Sequence, residues 1–244
     1  MKTETLSGKS ILITGASGGI GHATALALAT SGATLTLSGR NTEKLSAIAQ
    51  QIVALGAATP RTITADLSRA PQVEKLVQDA AGESGLDIVI NAAGTGLIKP
   101  LESITPEEMT TVLAANLYGA MVLSQAAVKV MAPRKSGHLI HVIGVLGKAP
   151  MANASVYCAS KYGLSGFLQA LRAEVSRRHN IKVSGLYLGG VDTPFYDNPA
   201  IEMRVQRDKM LSASDAAEAI LFTLAQPAHL VLGELTLQPE SHQL

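Results

Sequence analysis

The stretch Thr14-Gly15-Ala16-Ser17-Gly18-Gly19-Ile20-Gly21 separates a short apolar run, Ser10–Thr14, from an Ala-rich segment at residues 20–31. Glycines allow a tight turn and a close approach of the backbone to a phosphate, and a helix start offers free N–H groups with a positive dipole end. The order of strand, glycine-rich turn and helix favours a pyrophosphate-binding loop over an ordinary turn. The stretch is not a Walker loop, because no Gly-Lys-Ser/Thr follows it.

Strand-like and helix-like segments alternate along the rest of the chain. Apolar runs predict seven strands, at 10–14, 33–38, 62–65, 87–91, 138–143, 182–188 and 229–237. Periodicity and capping signals predict helices at 20–31, 42–55, 71–81, 106–131 and 154–178, with one or two more before the last strand. This alternation predicts an α/β fold, a Rossmann-type doubly wound parallel seven-stranded sheet with helices on both faces, and we expect residues 1–244 to form one domain.

Composition narrows the possible partners and the setting. Twenty Lys+Arg against 19 Asp+Glu give a net charge of +1, which provides no basic surplus for nucleic acid. No apolar run reaches the roughly 18 residues of a membrane helix, and the first ten residues lack the apolar core of a secretory signal. A single cysteine, Cys158, excludes an internal disulfide, and the histidines show no HExxH spacing. We therefore expect a cytoplasmic protein with no metal site and no membrane or nucleic-acid partner.

The end of the second predicted strand bears on the nucleotide. Its sequence is Leu37-Ser38-Gly39-Arg40-Asn41, with no carboxylate to accept hydrogen bonds from the adenosine ribose of NAD. Arg40 suits the 2′-phosphate of NADP instead, because a guanidinium fork matches a phosphate. The alternative is an exposed arginine at a helix start. The missing acid favours NADP(H).

Tyr157 and Lys161 are four residues apart on one predicted helix, and so share a face. A nearby ammonium favours the phenolate, so Lys161 is expected to lower the pKa of Tyr157. The pair could then exchange a proton with a carbonyl or alcohol. The simpler alternative is a surface Tyr and Lys.

Together, these motifs resemble the single-domain branch of the short-chain dehydrogenase/reductase family over nearly the whole chain. The ordered motifs are TGxxxGIG at 14–21, Asp66-Leu67, Asn91-Ala92-Ala93-Gly94, Asn116 and Tyr157-x-x-x-Lys161. The resemblance implies NADPH-dependent hydride transfer to a small carbonyl substrate, or the reverse from an alcohol. It also implies a homodimer or homotetramer that pairs through helices 106–131 and 154–178, and a substrate lid at about 194–210.

The resemblance assigns roles residue by residue. Tyr157 is expected to donate the proton, Lys161 to lower its pKa and hold the nicotinamide ribose, and Asn116 to support a water relay. The expected cofactor-binding residues are Gly15, Ser17, Gly18, Gly19, Ile20, Arg40, Asn41, Asp66, Leu67, Asn91, Ala93, Gly94, Tyr157, Lys161, Val191 and Thr193.

Two positions depart from the family pattern. The usual catalytic serine, thirteen residues before the tyrosine, is Gly144 here. A substrate group, a water or a hydroxyl such as that of Ser155 could replace it, and restoring a serine at 144 is expected to speed the reaction. His141 is expected to be a core residue, because strand alternation turns it away from Gly144. The alternative function is a non-catalytic NADP(H)-binding sensor or partner-binding protein.

The second departure is Leu188, which replaces a usual proline and predicts a looser turn after the sixth strand.

Overall fold

The computed structural model describes residues 6–241, and its centre is one sheet of seven parallel strands. The strands are β1 (Ser10–Thr14), β2 (Thr34–Gly39), β3 (Arg61–Thr64), β4 (Ile88–Asn91), β5 (Gly137–Val142), β6 (Ile181–Leu188) and β7 (Glu234–Leu237). Their order, β3-β2-β1-β4-β5-β6-β7, confirms the predicted Rossmann-type sheet. The order reverses between β1 and β4, and ligands of such sheets bind in the crevice beyond the carboxyl ends of the strands at that point.

Helices cover both faces of the sheet. They are α1 (Gly19–Leu28), α2 (Thr42–Ala54), α3 (Ala70–Ala81), α4 (Pro106–Leu113), α5 (Gly119–Met131), α6 (Ser155–His179) and α7 (Ala213–Leu224). Because side chains alternate along a strand, Leu12 packs in the core beneath α3, α5 and α6, whereas Ile11 and Ile13 pack in the core beneath α1, α2 and α7. The inner strands β1, β4, β5 and β6 are thus buried on both faces, which explains their nearly continuous apolar sequences, whereas the edge strands β3 and β7 are partly exposed.

Two predicted elements are shorter than expected. The last strand was predicted at 229–237 but begins at Glu234, because a turn closed by Leu230 N donating to Pro227 O precedes it. The first helix was predicted to reach residue 31 but ends at Leu28. There the Ser31 hydroxyl donates to Leu28 O at 2.6 Å, so a side chain takes a carbonyl that a continuing helix would use.

The predicted helix at 106–131 is interrupted. It begins at Pro106 with the expected capping box between Thr105 and Glu108, but residues 114–118 form a π-helical turn. Such turns add one residue to a helical repeat and are frequent at functional sites. The helical stretch Pro106–Arg134 is long and apolar enough to cross a membrane by length and composition alone, and 44% of its most apolar window is buried within the fold.

Candidate active site

The glycine-rich loop folds tightly against its neighbours. Gly15 has φ +69°, and a Cβ on it would lie 2.5 Å from Ala93 N; a Cβ on Gly21 would collide with Gly15 O. Gly18 is the N-cap of α1 and Gly19 its first residue, with no side-chain cap and no acid in the first turn. Free N–H groups and the dipole of a ten-residue helix therefore suit an anion such as a pyrophosphate. Ile20, in that first turn, packs partly buried against the core.

The end of β2 meets this loop. A Cβ on Gly39 would lie 2.6 Å from Ser17 Oγ, so a larger residue would displace that hydroxyl. Arg40 follows directly and is exposed. The side chain of Asn41 caps α2, where its Oδ1 accepts from Lys44 N at 2.7 Å. Of the two predicted nucleotide contacts here, Arg40 keeps its side chain available, whereas the Asn41 side-chain oxygen already has a partner.

Asp66 and Leu67 follow β3 and differ in their surroundings. Burial pushes the pKa of Asp66 up, but hydrogen bonds from Ser68 and the charges of Arg40 and Arg69 outweigh it, and the pKa is lowered. The Leu67 side chain lies in the core beneath α3 and α5. Of the predicted cofactor-binding residue Leu67, only the backbone is therefore left to contact the nucleotide.

The side chain of Asn91, at the end of β4, makes its hydrogen bonds within the protein. Its Oδ1 accepts from Thr14 Oγ1 at 2.8 Å and from Ala93 N at 3.2 Å, and its Nδ2 lies 3.1 Å from His141 Nδ1. Asn91 thus ties the carboxyl ends of β1, β4 and β5 together. Asn91 therefore has a structural role at the border of the crevice, and its side-chain oxygen and nitrogen already have partners within the protein. His141 is fully buried, which confirms its prediction as a core residue.

Asn116 lies in the π-helical turn and holds the loop after β4. Its Oδ1 accepts from Thr95 N at 2.8 Å, and its Nδ2 donates to Thr95 O at 2.9 Å and to Ser160 Oγ at 3.1 Å. Ser160 in turn donates to Tyr157 O at 2.7 Å. The resemblance places Gly94 on the adenosine side of the cofactor, but a Cβ on Gly94 would lie 3.7 Å from Lys161 Nζ, so Gly94 lies toward the Tyr157–Lys161 pair instead.

Tyr157 and Lys161 lie together on α6, with Lys161 Nζ 5.6 Å from the centre of the Tyr157 ring. Lys161 is buried and donates to Val142 O at 3.4 Å. Burial lowers the pKa of Lys161 to about 8. Burial also raises the pKa of Tyr157, aided by Tyr196 and Cys158, so the net shift of this pKa in the protein alone is upward, opposite to the lowering expected from Lys161. Tyr157 is therefore protonated at neutral pH, as a proton donor must be.

Gly144 adopts a backbone conformation that other residues avoid. Its φ of +94° and ψ of 153° fall in a region used essentially by glycine. A Cβ there would find space, since the nearest atom is Leu188 O at 3.7 Å, so the obstacle is the backbone itself. Serine would be strained in this conformation, so Gly144→Ser is not expected to speed the reaction as the sequence alone suggested. Ser155, suggested as a substitute, is exposed and two residues before Tyr157 on α6, so it faces away.

The segment after β6 completes the crevice. Val191 and Thr193 are buried, and a Cβ on Gly19 would collide with the Thr193 side chain, so this segment touches the phosphate loop. The looser turn expected from Leu188 is not observed, because Leu188 pairs with Leu237 and Gly189 N donates to Leu237 O at 2.8 Å.

Sequence reasoning missed two groups that shape the site, the Ser160 hydroxyl and an apolar cluster. Ser160 bridges Asn116 and Tyr157, and its position three residues after the tyrosine on one helix could have indicated it. An apolar cluster around Tyr157 brings together distant segments, and no local signal marks it; its members include Ile98, Leu146, Met151, Phe195 and Ile201. Arg207 lies within the predicted lid segment, where it donates hydrogen bonds to Asp192 and Asp197.

Taken together, a glycine-rich anion site beside a Tyr–Lys pair at the switch point of a doubly wound sheet defines a nicotinamide-nucleotide oxidoreductase. Comparison with known proteins agrees, since a model of the short chain dehydrogenase family matches residues 9–202. The chain belongs to this family.

Relatives and solved structures resemble the chain over almost all of its length. An uncharacterized oxidoreductase of Staphylococcus epidermidis is 32% identical over 233 residues, which cover 95% of this chain and 97% of the relative. An alcohol dehydrogenase from the archaeon Thermococcus sibiricus, complexed with 5-hydroxy-NADP, is 26% identical with a TM-score of 0.86 over 97% of this chain and 98% of that one. A metagenomic short-chain oxidoreductase in complex with NADP is 29% identical with a TM-score of 0.83 over 98% and 100%.

Proposed function

We propose that this protein is an NADPH-dependent reductase of small carbonyl compounds, with Tyr157 as proton donor and EC 1.1.1-type CH-OH/C=O chemistry. The observation that carries the proposal is the Tyr157–Lys161 pair, held by Ser160 and Asn116 next to the phosphate loop. A protein that only bound the nucleotide would need no proton donor at this position.

The residues divide the work as follows. The N–H groups at the start of α1 and the loop of Gly15 and Gly18 hold the pyrophosphate, and Val191 with Thr193 borders the nicotinamide. The bound NADPH supplies the hydride. Tyr157 gives its proton to the carbonyl oxygen, and Lys161, positive below its pKa of about 8, stabilises the charge left on the phenol. Residues 194–210 act as the lid over the substrate. Within this lid, Arg207 donates hydrogen bonds to Asp192, just before the first turn, and to Asp197, at the end of that turn.

The preference for NADPH over NADH rests on Arg40. It is exposed at the end of β2, no carboxylate stands beside it in Gly39-Arg40-Asn41, and Asn41 already caps α2. A charged hydrogen bond contributes about 1.5–3 kcal/mol, so Arg40→Ala is expected to weaken NADPH roughly 10- to 100-fold and leave NADH unchanged. The matched control is Arg178→Ala, an exposed arginine at the far end of α6. Equal loss for both nucleotides would contradict the proposal.

The substrate is expected to be neutral and partly apolar. The side chains around Tyr157 are apolar, and the basic residues Lys99, Lys148 and Arg207 each pair with a carboxylate.

We also propose a homodimer or homotetramer, because Leu113, Tyr118, Met121 and Tyr162 expose apolar surface on the helices through which relatives pair. A reducing, cytoplasmic setting fits the single cysteine.

The test is oxidation of NADPH over a panel of ketones, dicarbonyls and quinones. The wild type is expected to turn over at least one of them, and Tyr157→Phe to lose roughly 100- to 10,000-fold in kcat while NADPH still binds. NADPH binding without turnover by the wild type would favour the second candidate, a non-catalytic sensor. The observation in its favour is Gly144, which provides no hydroxyl for the substrate oxygen.

A further inference from the structure

Carbonyl reduction needs a second hydrogen-bond donor beside Tyr157, and Gly144 cannot provide one. The missing group is a hydroxyl that would hold the substrate oxygen as negative charge develops on it. The φ of +94° at Gly144 is unfavourable for serine, so the turn requires glycine at this position. If the chain is a reductase, as proposed above, the donor must come from elsewhere.

Most hydroxyls near the site are occupied or face away. Ser160 donates to Tyr157 O, and Thr193 donates to Val191 O. Ser155 is exposed on another face of α6. Thr95 Oγ1 accepts from Asn198 at 3.5 Å and keeps its own proton, so it is the one rival to be tested.

Tyr196 lies near Tyr157, with one ring between them. It belongs to the short 3-10 turn Pro194–Asp197 and is half-buried. Its ring meets Phe195 edge-on at 5.2 Å between centroids, and Phe195 lies 6.1 Å from the ring of Tyr157. All three rings join one apolar cluster.

The Tyr196 hydroxyl points to the end of β6. It lies 3.3 Å from the position of a Cβ on Gly190, and Leu188 O on the same strand end is the nearest atom to a Cβ on Gly144. Tyr196 and Gly144 thus approach the same strand end. Within residues 6–241, the Tyr196 hydroxyl has no hydrogen-bond partner, so its proton is available to a ligand.

The turn that carries Tyr196 is held in place. Tyr196 N donates to Thr193 O at 3.3 Å, and Thr193 caps the turn. Arg207 donates to Asp192 before the turn and to Asp197 at its end. Burial raises the pKa of Tyr196 despite the opposing charge of Arg207, so the phenol keeps its proton at neutral pH.

We propose that Tyr196 is a catalytic residue whose phenol donates a hydrogen bond to the substrate's carbonyl oxygen, in place of the serine that Gly144 replaces. Tyr157 gives up its proton, whereas Tyr196 retains its own and stabilises the developing charge. A tyrosine side chain is longer than a serine side chain. The Tyr196 hydroxyl can therefore approach the substrate oxygen from the lid, although the residue after β5 is Gly144 and has no hydroxyl.

The test compares Tyr196→Phe with Thr95→Val and with Ser155→Ala, a control that removes an exposed hydroxyl elsewhere on α6. Loss of one preorganised donor costs about 100- to 1000-fold in kcat. We expect that loss for Tyr196→Phe with unchanged NADPH affinity and little change in KM, and wild-type rates for the two other variants. Replacing Tyr196 with the more acidic 3,5-difluorotyrosine should keep the activity near neutral pH and move the alkaline limb of the pH profile down.

The outcomes separate this inference from the function on which it rests. Turnover by Tyr196→Phe at the wild-type rate would overturn the inference and leave the reductase intact. A loss in Thr95→Val with none in Tyr196→Phe would assign the donor to Thr95. A Tyr196→Phe loss that the fluorinated tyrosine does not restore would assign Tyr196 a packing role. A wild type that binds NADPH and reduces nothing would end both the proposed function and the inference.

Discussion

Two buried histidines should make this protein sensitive to mild acid. His138 lies 2.8 Å from Ser184 Oγ, and His141 lies between Asn91 and Ser124, 3.1 Å from each. Burial lowers the pKa of both to about 3 from a usual 6.5, with added repulsion from Lys182 and Lys161 respectively. His141 is further fixed as neutral, because Asn91 uses its oxygen elsewhere and offers His141 only an amide donor.

The sign and size of the effect follow from linkage. Between pH 6.5 and pH 3 the unfolded chain binds protons at both histidines and the native chain does not, so the free energy of unfolding falls as pH falls. Each group contributes about 2 kcal/mol between pH 7 and pH 5, so the two together cost about 4 kcal/mol. That is a large part of the roughly 5–15 kcal/mol that stabilises a typical domain. Carboxylates with lowered pKa values, such as Asp66 and Asp215, add their losses only at lower pH.

Urea unfolding at fixed protein concentration, repeated from pH 7 to pH 5, measures this slope. His138→Gln should roughly halve the loss over that range, whatever its effect at pH 7, because one titrating group remains. His229→Gln, at an exposed position, is the matched control and should keep the full slope. An equal slope in wild type and His138→Gln would refute the assignment of the acid sensitivity to these two residues.

Three further predictions concern the site. Gly144→Ser should cost about 1–3 kcal/mol in urea unfolding and bring no gain in kcat, because serine resists the φ of +94°; a faster and equally stable variant would contradict this. Gly21→Ala should lower Tm and weaken NADPH binding, because its Cβ meets Gly15 O, whereas Gly166→Ala, with open space around its Cβ, should do neither. The kcat/KM for NADPH should fall above pH about 8 as Lys161 loses its proton, and Lys161→Arg should move that limb upward; an unchanged limb would exclude Lys161 as its origin.

The alternation of strands and helices could be predicted because local periodicity encodes it. Ile11, Leu12 and Ile13 alternate between two cores, and the capping box at Thr105 marks a helix start in the sequence itself. The π-helical turn at 114–118 could not be predicted in this way, because it depends on Asn116 bonding Thr95 and Ser160, which are distant in sequence.

The site was predicted less completely than the fold, for a similar reason. Motifs located the residues, but not what their side chains bind. Asn91 is occupied by Thr14 and His141, Leu67 lies in the core, and burial reverses the expected pKa shift of Tyr157. Such effects depend on neighbours brought together by folding, and a linear pattern does not contain them.

The conformation of Gly144 also limits how the protein can evolve. Serine at this position would be held in a strained turn, so the substitution alone is expected to lower stability before its hydroxyl becomes useful. A gain from that hydroxyl would require a second change that lets the turn after β5 relax. A simple return from glycine to serine is therefore unfavourable, because it takes two changes and not one.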